Sequence, residues 1–315
     1  MKKIIVLAAL LSGLFYVQQS KSRKNDCKKI CVCKVIEHEA LNSVVAGMTD
    51  YLRQRNIGAE ILEETSQGNM ALALQIIAKF VNSGPDAVVT VGTTPSQCAF
   101  KFAKENKIRL VFSSVTNPED VSSDFMGSNT TGVSNFVALE PQIDLFKKIQ
   151  PSLRKLGIIY NTGESNSVSI VKRLREVCKN KGLMLVEQGV SRMADISAAT
   201  KKLAGEVDAV FISNDNLALS GITNIITICN GSKIPVYVSD TDQVEKGCLA
   251  ALGPNQYNIG VQTGKILERI LTGEDINKIR IEYPEVSELY INLKAAKLLG
   301  ITVPKDLRAQ KIIGE

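Results

Sequence analysis

Two hydrophobic signals alternate along the chain from residue 31 onward. Short apolar runs sit between turn residues, and longer segments carry apolar residues at helical spacing. The short runs cover 31–36, 59–62, 87–91, 109–112, 156–160, 183–186, 207–212, 235–238 and 248–252. Leu41, Val44, Val45, Met48 and Leu52 share one helical face. Met70, Leu74, Ile77 and Val81 share a second, which Ser83-Gly84-Pro85 stops. A helix is predicted over 96–105. Ile143, Phe146 and Ile149 mark another, and Val168, Val171, Leu174 and Cys178 the next. Uninterrupted apolar strands alternating with amphipathic helices imply parallel sheets covered on both faces. Two such runs of four or five strands predict an α/β fold of two doubly wound parallel-sheet lobes. The tail adds a helix over 257–271, an extended piece near 280–283 and a helix over 293–299. It implies that the chain crosses between lobes more than once. Crossings near Ser134, Gly253 and Tyr283 give a three-segment hinge, with one lobe of 33–134 plus 254–282 and another of 135–253 plus 283–315.

The first 22 residues are expected to be a secretion signal. Lys2 and Lys3 precede an apolar run of 14 residues, 4–17, which is short for a membrane span. Ser20-Lys21-Ser22 places small residues at a cleavage site, and Cys27 lies too far on for a lipoprotein signal. The mature protein is therefore expected to be periplasmic or otherwise extracytoplasmic, with an uncleaved leader as the alternative. The 315 residues suffice for two domains. The net charge of +6 is spread over helix surfaces and is dense only at 21–34, which argues against a nucleic-acid partner. Of seven cysteines, Cys98, Cys178, Cys229 and Cys248 fall within helix or strand patterns and read as buried apolar residues. Cys27, Cys31 and Cys33 lack a second ligand pair at metal spacing, and two of the three could pair as a disulfide.

The chemistry is concentrated where the strands end. In parallel α/β sheets ligands bind outside the carboxyl ends of the strands, where helix N-termini present free N–H groups. Six such junctions are rich in hydroxyls, amides and carboxylates and poor in Lys and Arg: 37–38, 92–96, 113–117, 161–167, 213–216 and 239–242. Any one of them reads equally as a helix cap; together they predict a crevice for a small polar ligand. Thr94 and Ser96 flank Pro95 at a helix start and could hold a carboxylate, as could Asn166 and Ser167 from the other lobe. Asp215 and Asp240 end neighbouring strands and are either caps or a site for a cationic amine. His38, the single histidine, follows the first strand and is either a structural hydrogen-bonder or a ligand contact. Phe136, at the first crossing, either stacks on a ligand or fills the lobe interface. No G-x-G-x-x-G, P-loop, H-E-x-x-H or G-x-S-x-G motif is present, and no cofactor or catalytic residue is predicted.

Several segments occur in an order that carries a resemblance: 37–41 (EHEAL), 92–95 (GTTP), 131–135 (TGVSN), 159–167 (IYNTGESNS), 214–216 (NDN), 239–241 (SDT) and 250–253 (AALG). Together they resemble the ABC transporter substrate-binding protein family that includes tryptophan/tyrosine-type binding proteins. The resemblance implies a type I periplasmic-binding-protein fold. It also implies delivery of a small ligand, often an aromatic amino acid, to a membrane permease and its ATPase; the missing enzyme motifs together with the export signal favour binding over catalysis, and a monomer is expected. Carried over by position, the pocket would contain His38, Thr94, Ser134, Asn161, Glu164, Asn166, Ser167, Asp215 and Asp240, with Asn135 beside Ser134. The chain departs from the family pattern at Glu39, where proline is common, and at Asn117 and Asn135, where aspartate is common. A sensor protein feeding a membrane receptor and an exported amino-acid enzyme are the rival readings.

Overall fold

The computed structural model describes residues 27–314. The expected secretion signal over 1–22 lies outside the described residues. The first lobe is a five-stranded sheet in the order β2-β1-β3-β4-β5, all parallel. Its strands are β1 (Lys28–Lys34), β2 (Ala59–Thr65), β3 (Ala87–Val91), β4 (Leu110–Val115) and β5 (Thr130–Ser134). Helices α1 (Glu39–Gln54), α2 (Met70–Asn82) and α3 (Thr93–Asn106) connect them. The apolar runs form strands because both faces are covered. Cys31, Cys33, Val88 and Leu110 meet Ala73, Ile77 and Ala99 on one side. Val32, Val89 and Val111 meet Leu41, Met48 and Ile266 on the other.

The second lobe repeats the plan. It contains α4 (Leu139–Ile149), β6 (Lys155–Asn161), α5 (Ser165–Asn180), β7 (Met184–Val190), α6 (Ile196–Ala204), β8 (Ala209–Ile212), α7 (Asn216–Ser220), α8 (Ile222–Gly231), β9 (Val236–Val238) and β10 (Ala250–Gly253). The chain then returns to the first lobe as α9 (Gln256–Leu271), which packs along α1. It comes back a last time for β11 (Glu288–Asn292), α10 (Leu293–Leu299) and β12 (Lys311–Ile313). The sheet order is β12-β11-β10-β9-β8-β6-β7, parallel except for the β10–β11 pair. Among the described residues no helix is long and apolar enough to cross a membrane.

Several elements differ from the sequence reading. Helix α3 begins at Thr93, three residues earlier than predicted, because the first N–H groups of a helix have no intrahelical partner and Pro95 costs nothing there. The buried stripe of α2 is Ala73, Ile76, Ile77 and Phe80, while Met70 and Leu74 face outward. The extended piece near 280–283 makes a single bridge, Val133 to Glu282, and no strand. All seven cysteines are free thiols, so the disulfide among Cys27, Cys31 and Cys33 is not formed. Cys31 and Cys33 lie two apart on β1 with both side chains buried on one face, against α2 and α3.

Candidate functional site

Each lobe has the strand order 2-1-3-4-5 over its first five strands, so its topological switch point lies between the first and third of them. In the first lobe that point is the exit of β1 and β3, at His38 and Thr93. In the second it is the exit of β6 and β8, at Asn161 to Glu164 and Ser213 to Asn216. The two exits face each other across a narrow, partly open cavity of about 20 Å³, little more than a single water occupies.

The first lobe contributes His38, Leu41, Thr93, Ser114, Thr116 and Gln256 to the cavity wall. Ser114 sits at φ 53° at a register shift in β4, a strained bulge that turns its side chain out of the strand rhythm. Its Oγ donates to Gln256 Oε1 at 3.3 Å, which fixes the first turn of α9 to β4. The second lobe contributes Asn166, Asn214, Asn216, Leu219 and Asp240, and the first connection contributes Asn135. Asn166 Nδ2 donates to the Asn214 carbonyl at 2.9 Å, and Asn214 Nδ2 donates to the Asn135 carbonyl at 3.0 Å. This chain of amides leaves Asn135 Oδ1 and Asn166 Oδ1 buried with no hydrogen-bond partner. Buried acceptors without partners are rare and costly, and here both belong to the cavity wall.

Asp240 is 1% exposed. Its Oδ1 accepts from the Asp242 N–H at 3.0 Å, and its Oδ2 accepts from Gln243 Nε2 at 3.2 Å. Burial, and then the nearby Asp242 carboxylate, push its carboxyl up to about 7. Among the described lining residues there is no lysine or arginine. The wall is therefore acceptor-rich, with a single carboxylate as its acid.

Four of the residues singled out from sequence meet at the cavity: His38, Asn135, Asn166 and Asp240. The other eight lie behind it or beside it. Starting α3 at Thr93 brings Thr93, and not Thr94, to the wall. Ser96 is fully buried, donating to the Gly92 carbonyl at 2.7 Å and accepting from Thr90 Oγ1 at 2.8 Å. Ser134 Oγ donates to the Thr116 carbonyl and accepts from the Phe136 N–H, which pins the first connection. Phe136 meets Tyr283 of the third connection edge to face at 6.3 Å, under the Arg173 guanidinium at 4.7 Å. Asp215 caps α7 through the Ala218 N–H at 2.7 Å and also accepts from the Asn161 N–H. Burial, then the charge of Glu164, raise its carboxyl. Ser167 hydrogen-bonds this carboxylate. Asn161 Nδ2 donates to Glu164 Oε1 at 2.9 Å, and Glu164 Oε2 accepts from Asn216 Nδ2 at 2.6 Å. The residues missed by sequence reasoning, Ser114, Thr116, Asn214 and Asn216, all lie in junctions that it had flagged. Only a known register could have chosen among them. Gln256 lay outside every flagged junction.

Proteins of known character share this architecture. A tyrosine-binding protein of Clostridioides difficile is 27% identical over 293 residues, covering 90% of this chain and 84% of that relative. The crystal structure of an ABC domain in complex with L-Trp from Streptococcus pneumonia matches with a TM-score of 0.85 at 26% identity, covering 91% of this chain and all of that one. A ligand-free, open structure of a Clostridium difficile substrate-binding protein with adhesive properties matches with a TM-score of 0.68 at 27% identity over the same shares. The family model for ABC transporter substrate binding proteins matches residues 29–312, which include both sheets and the cavity between them, and the chain belongs to that family.

Proposed function

We propose that this protein is the exported capture component of an ABC importer, closing two lobes over an aromatic amino acid and delivering it to a membrane permease and its ATPase. The observation that carries this reading is the narrow cleft at the carboxyl ends of both sheets. One buried carboxylate and two bare amide oxygens converge on it, with no lysine or arginine among the described lining residues. That set suits a ligand ammonium. Thr93 in the first turn of α3, with Ser114 and Thr116, offers donors for a carboxylate. Leu41 and Leu219 supply the apolar contact that a ring needs. The near-equal identities but unequal TM-scores to the L-Trp complex and the ligand-free open structure support a closed arrangement of the lobes, with the three connections as the hinge. The N-terminal pattern of residues 1–22 supports export.

A thermal-shift screen against amino acids, sugars and nucleosides tests the reading, because a ligand bound only by the folded form raises the Tm by mass action. L-tyrosine or L-tryptophan should raise it, with calorimetry giving one site and the ligand recovered unchanged. A response confined to sugars or nucleosides would remove the amino-acid assignment, and a chemically altered ligand would replace binding by catalysis.

A further inference from the structure

His38 and Asn216 face each other across the cleft, His38 from the exit of β1 and Asn216 from the start of α7. His38 Nε2 lies 3.4 Å from Asn216 Oδ1. The direction of this contact follows from what holds Asn216. Its Nδ2 donates to Glu164 Oε2 at 2.6 Å, and its own backbone N–H donates to the same oxygen at 3.2 Å. A carboxylate oxygen only accepts, so the amide of Asn216 cannot be flipped, and Oδ1 is the atom turned toward the imidazole. An amide oxygen also only accepts, so Nε2 must carry the proton. Glu164 is held in turn by Asn161 Nδ2 at 2.9 Å.

The other ring nitrogen is then left as a bare acceptor. No described residue donates to His38 Nδ1. The imidazole does not cap α1, although His38 occupies the N-cap position. The ring instead forms part of the cavity wall. Burial lowers the pKa of His38 to about 4, so the ring is neutral near pH 7 and its tautomer decides what it can recognise.

We propose that His38 is a specificity-determining residue, whose unprotonated Nδ1, fixed by the Glu164–Asn216 relay from the opposite lobe, selects ligands with an O–H or N–H donor on the side chain. The inference rests on the aromatic amino-acid reading. Asp240, Asn135 Oδ1 and Asn166 Oδ1 supply acceptors for the α-ammonium. His38, on the first lobe, is left for the other end of the molecule. A phenol or an indole satisfies its Nδ1, whereas a phenyl ring leaves that acceptor desolvated and unpaired, at a cost of about tenfold or more in affinity. Because Glu164 and Asn216 belong to the second lobe, the selection is complete only when the lobes meet.

Two measurements test this. Calorimetry on the full protein compares L-tyrosine, L-tryptophan and L-phenylalanine for the natural chain and for His38→Leu. The expected result is phenylalanine weaker than tyrosine by about tenfold or more in the natural chain, with that gap closing in His38→Leu. Equal affinities in the natural chain, or a gap that survives His38→Leu, would overturn the proposal while leaving the amino-acid reading standing. If no aromatic amino acid binds, the amino-acid reading itself falls, and this proposal with it. The second measurement reads the tautomer directly. The chain has one histidine, so its nitrogen NMR signals are unambiguous. The expected spectrum of the ligand-bound protein near pH 7 shows the Nε2–H tautomer, and Asn216→Leu should relax it toward a mixture. An Nδ1–H tautomer in the natural chain would overturn the relay.

Discussion

Asp240 shows how one residue sets both the stability and the selectivity of the cavity. Its carboxyl is raised to about 7 by burial and by Asp242, from an ordinary value of 3.8. Between those values the folded protein binds more protons at this site than the unfolded chain, so its contribution to stability is fullest below pH 3.8 and is lost as the pH rises toward 7. His38, lowered to about 4 from 6.5, works in the opposite direction over that interval. Asp215 is raised as Asp240 is, so two carboxyls oppose one imidazole. The Tm of the ligand-free protein should therefore fall from about pH 5 to about pH 7.5. Asp240→Asn should flatten that fall without unfolding the site. Its Oδ1 can still accept from the Asp242 N–H, and its new Nδ2 can donate to Gln243 Oε1, which lacks a partner, once the Gln243 amide turns over. The same variant should weaken an amine-bearing ligand by about 10- to 100-fold in calorimetry, the worth of a charge-assisted hydrogen bond. A variant that binds normally, with an unaltered Tm profile, would take Asp240 out of ligand recognition. This residue was legible from sequence because it ends a strand. Asp215, which also ends a strand, was indistinguishable from it. Only the fold shows one carboxylate at the cavity wall and the other engaged by the Ala218 and Asn161 N–H groups.

At the scale of elements, the crossing of α1 and α9 holds the first lobe together and carries Gln256 to the cavity. The two helices touch backbone to backbone. A Cβ on Gly260 would lie 2.0 Å from the Val44 carbonyl oxygen, and one on Gly47 would lie 2.1 Å from that of Tyr257. Backbone cannot yield as a flexible side chain does, so Gly260→Ala must push the helices apart. The expected cost is about 1–3 kcal/mol, read as a lower midpoint in urea at unchanged slope. Gly231→Ala at the end of α8 meets nothing within 4 Å and serves as the control, with stability unchanged or slightly raised. Equal behaviour of the two variants would refute the close crossing. None of this contact was readable in the sequence, because glycines within a helical pattern give no sign of what approaches them. The strand and helix alternation was readable wherever burial on both faces purged polar residues, as in β8. It failed at β5, where Thr130, Thr131 and Ser134 are buried yet polar. It failed again at β11 and β12, short segments beyond the last crossing whose pairing is set by the second sheet.

For the whole molecule, the proposed closure rests on what spans the cleft between the lobes. Outside the cavity the cleft is spanned by polar contacts: Glu39 to Lys246 at 2.7 Å, Gln97 Nε2 to Ser165 Oγ at 3.2 Å, and Ser169 Oγ to Asp120 Oδ1 at 3.1 Å. The ion pair lies near the surface, where such pairs are worth about 0–1 kcal/mol. Against it stand Asn135 Oδ1 and Asn166 Oδ1, each of which costs about 1–3 kcal/mol when closed off from water without a partner. The two bare oxygens oppose the proposed closure, so a ligand that pairs these atoms would shift the population further toward the closed form, by its preference for that form. X-ray scattering should therefore show a smaller radius of gyration with saturating ligand than without. Glu39→Gln should weaken binding by no more than about fivefold, and that loss should shrink in high salt, as an exposed pair requires. Asn166→Leu removes one orphaned acceptor and keeps the apolar volume. It should let the ligand-free protein close further while lowering ligand affinity, a reversal of the two effects that no simple loss of stability can produce. A ligand-free radius that already equals the bound one in the natural chain would show that the rim contacts outweigh the orphaned amides, and would assign closure to the protein alone.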